Sequence, residues 1–314
     1  MSHMSVTVVG AGIVGLSAAW RLAEAGHTVG VVAAVRPAQT TSVVAAAIWY
    51  PYLAFPQDLV TRWSGVGYRE LVGLAAEPGS GVRIRRGREL FREPTPDPWW
   101  CNAVPDFQRV PPDQLPPSYV DGYLLEVPAV DMPRHLSWLE DRLAERGVGI
   151  EVRRLDRLEE APGGVVVNCT GLGSRDLLAD ADLFPVRGQV VVVEQFGLDE
   201  WLLDDTSGEL TYLAPREETV VLGGTAQQGV EDLIPDPQLA LEIVARCAAL
   251  VPAAGRARVL EHRVGLRPAR PSVRLERGEL ADGRPVVHCY GHGGAGVTMS
   301  YGCARDIVDL VAKA

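Results

Sequence analysis

The stretch Val6-Thr7-Val8-Val9-Gly10-Ala11-Gly12-Ile13-Val14-Gly15 decides the fold. Four β-branched residues run into glycines at positions 10, 12 and 15, and an apolar, alanine-rich segment follows. Strand, tight turn and helix start are the order that a dinucleotide-binding βαβ unit needs. Gly10 lets the chain turn, Gly12 lets a pyrophosphate approach the backbone, and Gly15 lets the helix pack on the strand. The phosphates then meet unpaired helix N–H groups and the positive end of the helix dipole. Leu16, Ala19, Trp20 and Ala23 carry helical spacing over 14–25, Gly26 closes the helix, and 28–32 forms a second parallel strand. One element of the pattern is missing. The acid that usually holds a ribose hydroxyl about 20 residues beyond the glycines is absent, and Ala34 stands there.

Beyond this unit, Thr40-Thr41-Ser42 offers three adjacent hydroxyls, either as donors to phosphate or as a helix N-cap. Ala45, Ala46 and Ala47 are small enough for a flat ring to approach. A helix is expected over 57–73. The span 83–127, rich in proline and arginine, reads as short strands and turns. Helical spacing returns over 130–146, with Asp131 able to cap and Pro133 in the first turn. Strands are expected at 150–152, 165–168, 186–193, 209–213 and 219–222, and a helix at 236–250 behind an acidic cap. Between 258 and 275 lie Arg263, Arg267, Arg270 and Arg274. A strand over 286–290 leads into Gly291-His292-Gly293-Gly294-Ala295-Gly296-Val297-Thr298 and a closing helix, a second anion-friendly turn.

The totals narrow the function. At 314 residues with 47% hydrophobic content, the chain has ample core for one large domain or two interleaved ones. A net charge of −10 argues against nucleic acid or an anionic membrane as the main partner. The five cysteines are odd in number and widely spaced, which fits a reduced, cytoplasmic protein. No signal peptide precedes the first strand, and the first three residues read as a prefix ahead of Met4. Cys169 and Cys289, both in apolar strands, read as inert buried thiols. His288 and His292 are four apart, but a strand entering a glycine loop does not put them on one face. No metal site is expected.

Five stretches resemble the FAD-dependent D-amino-acid oxidases: residues 10–15, 40–52, Asn168-Cys169-Thr170-Gly171, Gly265-Leu266-Arg267-Pro268-Ala269-Arg270-Pro271, and 292–298. The resemblance spans nearly the whole chain. It implies an α/β fold, α+β overall, with a Rossmann-like FAD-binding domain from 4–56, 130–175 and 281–314. An interleaved, mostly antiparallel substrate-binding domain would come from 57–129 and 176–280. By position, Gly10, Ala11, Gly12, Ile13, Val14 and Gly15 would hold the pyrophosphate. Thr40, Thr41, Ser42, Ala46, Ala47 and Ile48 would line the phosphate and isoalloxazine side. Leu155 would meet the adenine end, with Thr170 and Gly171 also at FAD. Gly293, Gly294, Ala295, Gly296, Val297 and Thr298 would lie along the flavin ring.

The implied reaction is oxidation of a neutral or apolar D-amino acid by hydride transfer to flavin N5, with O2 as acceptor. It gives a 2-oxo acid, ammonia and hydrogen peroxide. Arg267 would grip the substrate carboxylate, also touching FAD, and Tyr212 would donate to the same carboxylate. Gly294 would accept the amine, and Tyr50 would line the pocket. Three departures from the family pattern stand out. Ala34 replaces an acid, Ala295 replaces a bulky residue, and the lid tyrosine has no counterpart, since the run 201–212 is short with Gly208 in its place. An open entrance and fast product release follow as expectations. The alternatives are a D-aspartate oxidase, with Arg216 the candidate for the second carboxylate, a glycine or sarcosine oxidase-type flavoenzyme, an NAD-binding dehydrogenase, and a flavin-binding protein without oxidase activity. A homodimer is compatible with the resemblance.

Overall fold

The computed structural model describes residues 3–52, 54–205 and 208–314. The reading of the opening prefix falls partly outside these residues, as does the middle of the 201–212 run.

One sheet of 14 strands runs through the molecule. Its parallel part stacks Pro285–His292, Val165–Asn168, Ser5–Val9, Thr28–Ala33 and Ile150–Val152 side by side. The inner runs of valine are buried on both faces as parallel strands require, while Ile150–Val152, at the edge, is largely exposed. The helices Ile13–Glu24, Met132–Glu145 and Gly296–Val311 cover this part. The helix Gln57–Leu74 packs on Gly296–Val311 so closely that a Cβ at Gly67 would strike the Thr298 carbonyl, and one at Gly302 would strike Trp63. No described helix is long and apolar enough to cross a membrane.

The rest of the sheet is mostly antiparallel, with one parallel pair, Val82–Phe91 beside Trp201–Asp204. The 83–127 region differs from expectation. Val82–Phe91 and Asp121–Val130 pair antiparallel over all ten residues, and the prolines fall in the irregular connection between them. Alternating arginines had masked a long strand as a set of short ones.

The segment 258–275, read for its arginines alone, belongs to Val259–Glu279, a strand of 21 residues. It pairs antiparallel with Phe184–Glu194 on one side and with Pro285–His292 on the other, so it joins the two parts of the sheet. Two capping expectations divide. Asp236 caps its helix, accepting from the Gln238 and Leu239 amides. Asp131 occupies the N-cap position without a capping bond, and its carboxylate faces Arg216 at 3.8 Å and Arg134 at 3.6 Å.

Candidate active site

The glycine turn is built much as its sequence implies. Gly10 has φ +116°, and a Cβ there would meet the Cys169 carbonyl of the neighbouring strand. A Cβ at Gly15 would strike the Gly10 carbonyl, so Gly15 lets the helix close on the turn that precedes it. Gly12 stands with its Cβ position 3.0 Å from Ser42 Oγ. That hydroxyl accepts from the Ile13 amide at 3.0 Å, so Ser42 satisfies a helix-start donor from a distant loop. The N-cap reading of the Thr-Thr-Ser run is corrected. Residues 41–44 form a 3-10 turn whose N-cap, Thr40, makes no side-chain capping bond and instead donates its hydroxyl to the Pro37 carbonyl at 2.8 Å.

From this turn a cavity of about 720 Å3 runs across the carboxyl ends of the parallel strands. Of the residues singled out from sequence, Gly10 to Val14, Thr40 to Ser42, Ala46 to Ile48, Tyr50, Leu155, Thr170, Gly171, Tyr212, Arg267, Gly293, Gly294 and Gly296 to Thr298 all line it. Gly15 and Ala295 do not. Ala295 is fully buried at the N-cap of the last helix, which begins at Gly296. At the end where the ribose acid is missing, the wall carries Ala34, Gln39, Arg153, Arg154, Leu155 and Asp156. Thr170 is tied into its own turn, donating its hydroxyl to Asn168 Oδ1 at 2.8 Å.

The opposite end holds Arg267 and Tyr212. Of the arginines in their segment, Arg258, Arg263, Arg270 and Arg274 pair with Glu194, Glu261, Asp180 and Glu276. Among the described residues no carboxylate pairs with Arg267, whose Nη1 donates to the Thr225 carbonyl at 3.0 Å. Space for the guanidinium comes from Gly188, where a Cβ would overlap it, and space for the Tyr212 ring comes from Gly223. Burial raises the Tyr212 pKa, and the adjacent Arg267 partly offsets that rise. The strand pairing sets this end against the last glycine loop: Ala269 pairs with His292, and the Gly293 amide donates to the Pro268 carbonyl at 2.9 Å.

Tyr52, not singled out from sequence, also lines the cavity and lies over Gly294, where a Cβ would come within 2.7 Å of Cδ1. Burial raises its pKa, Asp205 adds to that, and Arg267 opposes it. Tyr50 is pinned by Thr298, whose hydroxyl accepts from the Tyr50 amide and donates to the Tyr50 carbonyl, both at 3.0 Å. Its own hydroxyl donates to the buried Glu89 at 2.8 Å. Glu89 escaped the sequence reading because it sits among the arginines of one strand, with no motif to mark it. Arg216 is not among the residues lining the cavity; it donates to the Ala45 carbonyl at 3.0 Å and approaches Asp131. It is therefore not placed for a second substrate carboxylate.

A glycine turn, a helix start and a long cleft at the strand ends are the architecture of a dinucleotide-binding enzyme, here with Arg267 and Tyr212 at the far end. The chain belongs to the FAD dependent oxidoreductase family, whose model matches residues 5–310. It is 49% identical over 311 residues to a D-amino-acid oxidase of Rubrobacter xylanophilus, covering 98% of this chain and 95% of that one. It is 45% identical to a D-amino-acid oxidase of Streptomyces coelicolor, covering 97% and 96%. The structure of glycine oxidase from Geobacillus kaustophilus superposes with a TM-score of 0.82 at 18% identity, covering 100% of this chain and 95% of that one. FAD is the cofactor, and the residues fit it. The cleft spans from the phosphate-type turn to the last glycine loop, and a Cβ would be crowded at Gly12 by Ser42 Oγ and would overlap Tyr52 at Gly294.

Proposed function

We propose that this enzyme oxidises neutral and apolar D-amino acids, converting substrate, water and O2 into a 2-oxo acid, ammonia and hydrogen peroxide. The observation that carries this reading is Arg267, the one arginine of its segment that lines the cavity without a carboxylate partner among the described residues. FAD, when bound, supplies the hydride acceptor. The chain's own groups bind and orient the substrate. Arg267 offers parallel N–H donors to the α-carboxylate, and the Tyr212 hydroxyl, kept protonated by burial, donates to the same group. The Gly294 carbonyl accepts from the amine. Held at both ends, the substrate has its α-hydrogen fixed in one direction. Tyr50 and Tyr52 confine its side chain, while the start of the Gly296–Val311 helix favours negative charge at the cavity wall.

Arg216 turned toward Ala45 and Asp131 supports a neutral side chain over D-aspartate. At the adenine end, Gln39 and Asp156 are the groups we assign to the ribose in place of the missing acid. The division into a FAD-binding part (4–56, 130–175, 281–314) and a substrate part (57–129, 176–280) accords with the parallel and antiparallel regions of the sheet. Five free thiols support a reducing, cytoplasmic setting. The test is peroxide release from a panel of D- and L-amino acids, glycine and sarcosine. D-Methionine and D-valine should lead. Faster turnover of D-aspartate, or of glycine and sarcosine, would replace this reading with the corresponding oxidase.

A further inference from the structure

Beside the cavity, and unused by the proposed chemistry, lies a cluster of soft donors. Cys289 and His292 come from the strand Pro285–His292, and Cys303 comes from the helix Gly296–Val311 packed against it. Their ligand atoms all lie within 4.8 Å of one another, and the residues are only 1%, 3% and 0% exposed. His292 Nε2 is 3.7 Å from Cys289 Sγ and 3.6 Å from Cys303 Sγ. These separations are long for strong hydrogen bonds. They match the sulfur–nitrogen edge of a tetrahedral zinc site, about 3.6 Å for Zn–S near 2.3 Å and Zn–N near 2.0 Å. The Cys169 thiol neighbours Cys289 but stands outside this group of three.

We propose that Cys289, His292 and Cys303 form a binding site for one thiophilic divalent cation of the zinc and cadmium type. The balance is simple. The ion displaces one proton from each of the Cys289 and Cys303 thiols, and the two thiolates neutralise its charge, so a buried site acquires no net charge. No electron is transferred. Soft sulfur donors and the absence of a carboxylate from the cluster select zinc or cadmium over magnesium and calcium. Cys169, Cys289 and His292 line the FAD cavity, which gives the ion a path in. The site adjoins the cofactor turn, where the Cys169 carbonyl leaves no space for a Cβ at Gly10.

The test uses the full-length chain, with flavin in place and after flavin removal, titrated with Cd2+ and Zn2+. Without flavin, we expect one tightly held ion per chain after desalting and an ultraviolet thiolate-to-cadmium band. X-ray absorption at the zinc edge should give sulfurs near ~2.3 Å and a nitrogen near ~2.0 Å. Cys303→Ala and, independently, His292→Gln should each weaken uptake at least tenfold. Cys101→Ser and Cys247→Ala, which alter thiols elsewhere, should not. No stoichiometric uptake, an oxygen-rich shell, or uptake lost only in Cys101→Ser would overturn the proposal. The absorption spectrum of the wild-type chain decides the matter even if both cluster variants fail to fold.

Discussion

The Tyr50 hydroxyl donates to Glu89 Oε2 across 2.8 Å, and only 5% of Glu89 is exposed. The pair joins a cavity-lining ring to an acid held out of water. Desolvation lifts the Glu89 pKa from 4.5 to about 7, and Asp205 adds to the rise while the Tyr50 bond resists it.

The consequence for stability has a definite sign. Between pH 4.5 and 7 the folded protein keeps a proton that the unfolded chain releases, so stability falls as pH rises through this window. At ~1.4 kcal/mol per unit, the loss is on the order of 3 kcal/mol. Glu89→Gln keeps an acceptor for Tyr50 and removes the titration. Urea denaturation at pH 5 and pH 8 should show the variant gaining on wild type at the higher pH. An unchanged difference between the two pH values would refute the assignment.

His135 works in the opposite direction. Its Nδ1 donates to the Ser80 carbonyl at 2.7 Å, its Nε2 accepts from the Tyr301 hydroxyl at 2.9 Å, and it is fully buried. Desolvation lowers its pKa from 6.5 to about 4, so stability present above pH 6.5 is lost as pH falls toward 4. His288 and His292 are lowered to about 4 as well. Thermal melts between pH 7 and 4.5 should show a steep acid loss in wild type and a shallower one in His135→Gln. Parallel curves would show that another group carries the acid sensitivity.

Arg267→Ala should raise KM severely while flavin absorbance is retained. Two charge-assisted bonds at ~1.5–3 kcal/mol each imply a fall in kcat/KM of roughly 100-fold or more. Arg267→Lys should recover only part of it, because a point charge does not reproduce the planar fork. Steady-state kinetics on D-methionine measures both variants. A KM within twofold of wild type in the alanine variant would remove Arg267 from the site.

The two glycines that make room for the clamp give a separate check. At Gly223 an added Cβ would overlap the Tyr212 ring, and at Gly188 it would overlap the Arg267 guanidinium. Gly223→Ala and Gly188→Ala should each raise KM at unchanged flavin content, displacing the proposed clamp without replacing either of its side chains. Normal KM values in both would mean that the clamp tolerates displacement.

Local patterns in the sequence reported the nucleotide half well. Val6 to Gly15 predicted a strand, a turn and a helix because each glycine answers a local steric demand, and Gly10 and Gly15 meet those demands in the structure. The antiparallel half was less legible. The strand Val259–Glu279 alternates arginines with small and proline residues, so neither strand nor helix period stands out. Arg216 shows the limit for charge. Its neighbourhood in sequence pointed toward the substrate, whereas its partners, Ala45 and Asp131, come from distant segments that no local pattern reveals. Glu89 and Tyr52 depend in the same way on what tertiary packing brings beside them.

Arg267 lies on the strand beside the one that runs into the glycine loop at 293–294, and the two are joined by the Ala269–His292 pair and the bond from the Gly293 amide to the Pro268 carbonyl. The separation between the two is thus written in main-chain register rather than in the packing of side chains. On our reading of the site, chirality is then an attribute of the backbone. Enlarging or shrinking Tyr50 or Tyr52 would retune which side chains enter, but accepting the mirror-image substrate would require that register itself to slip.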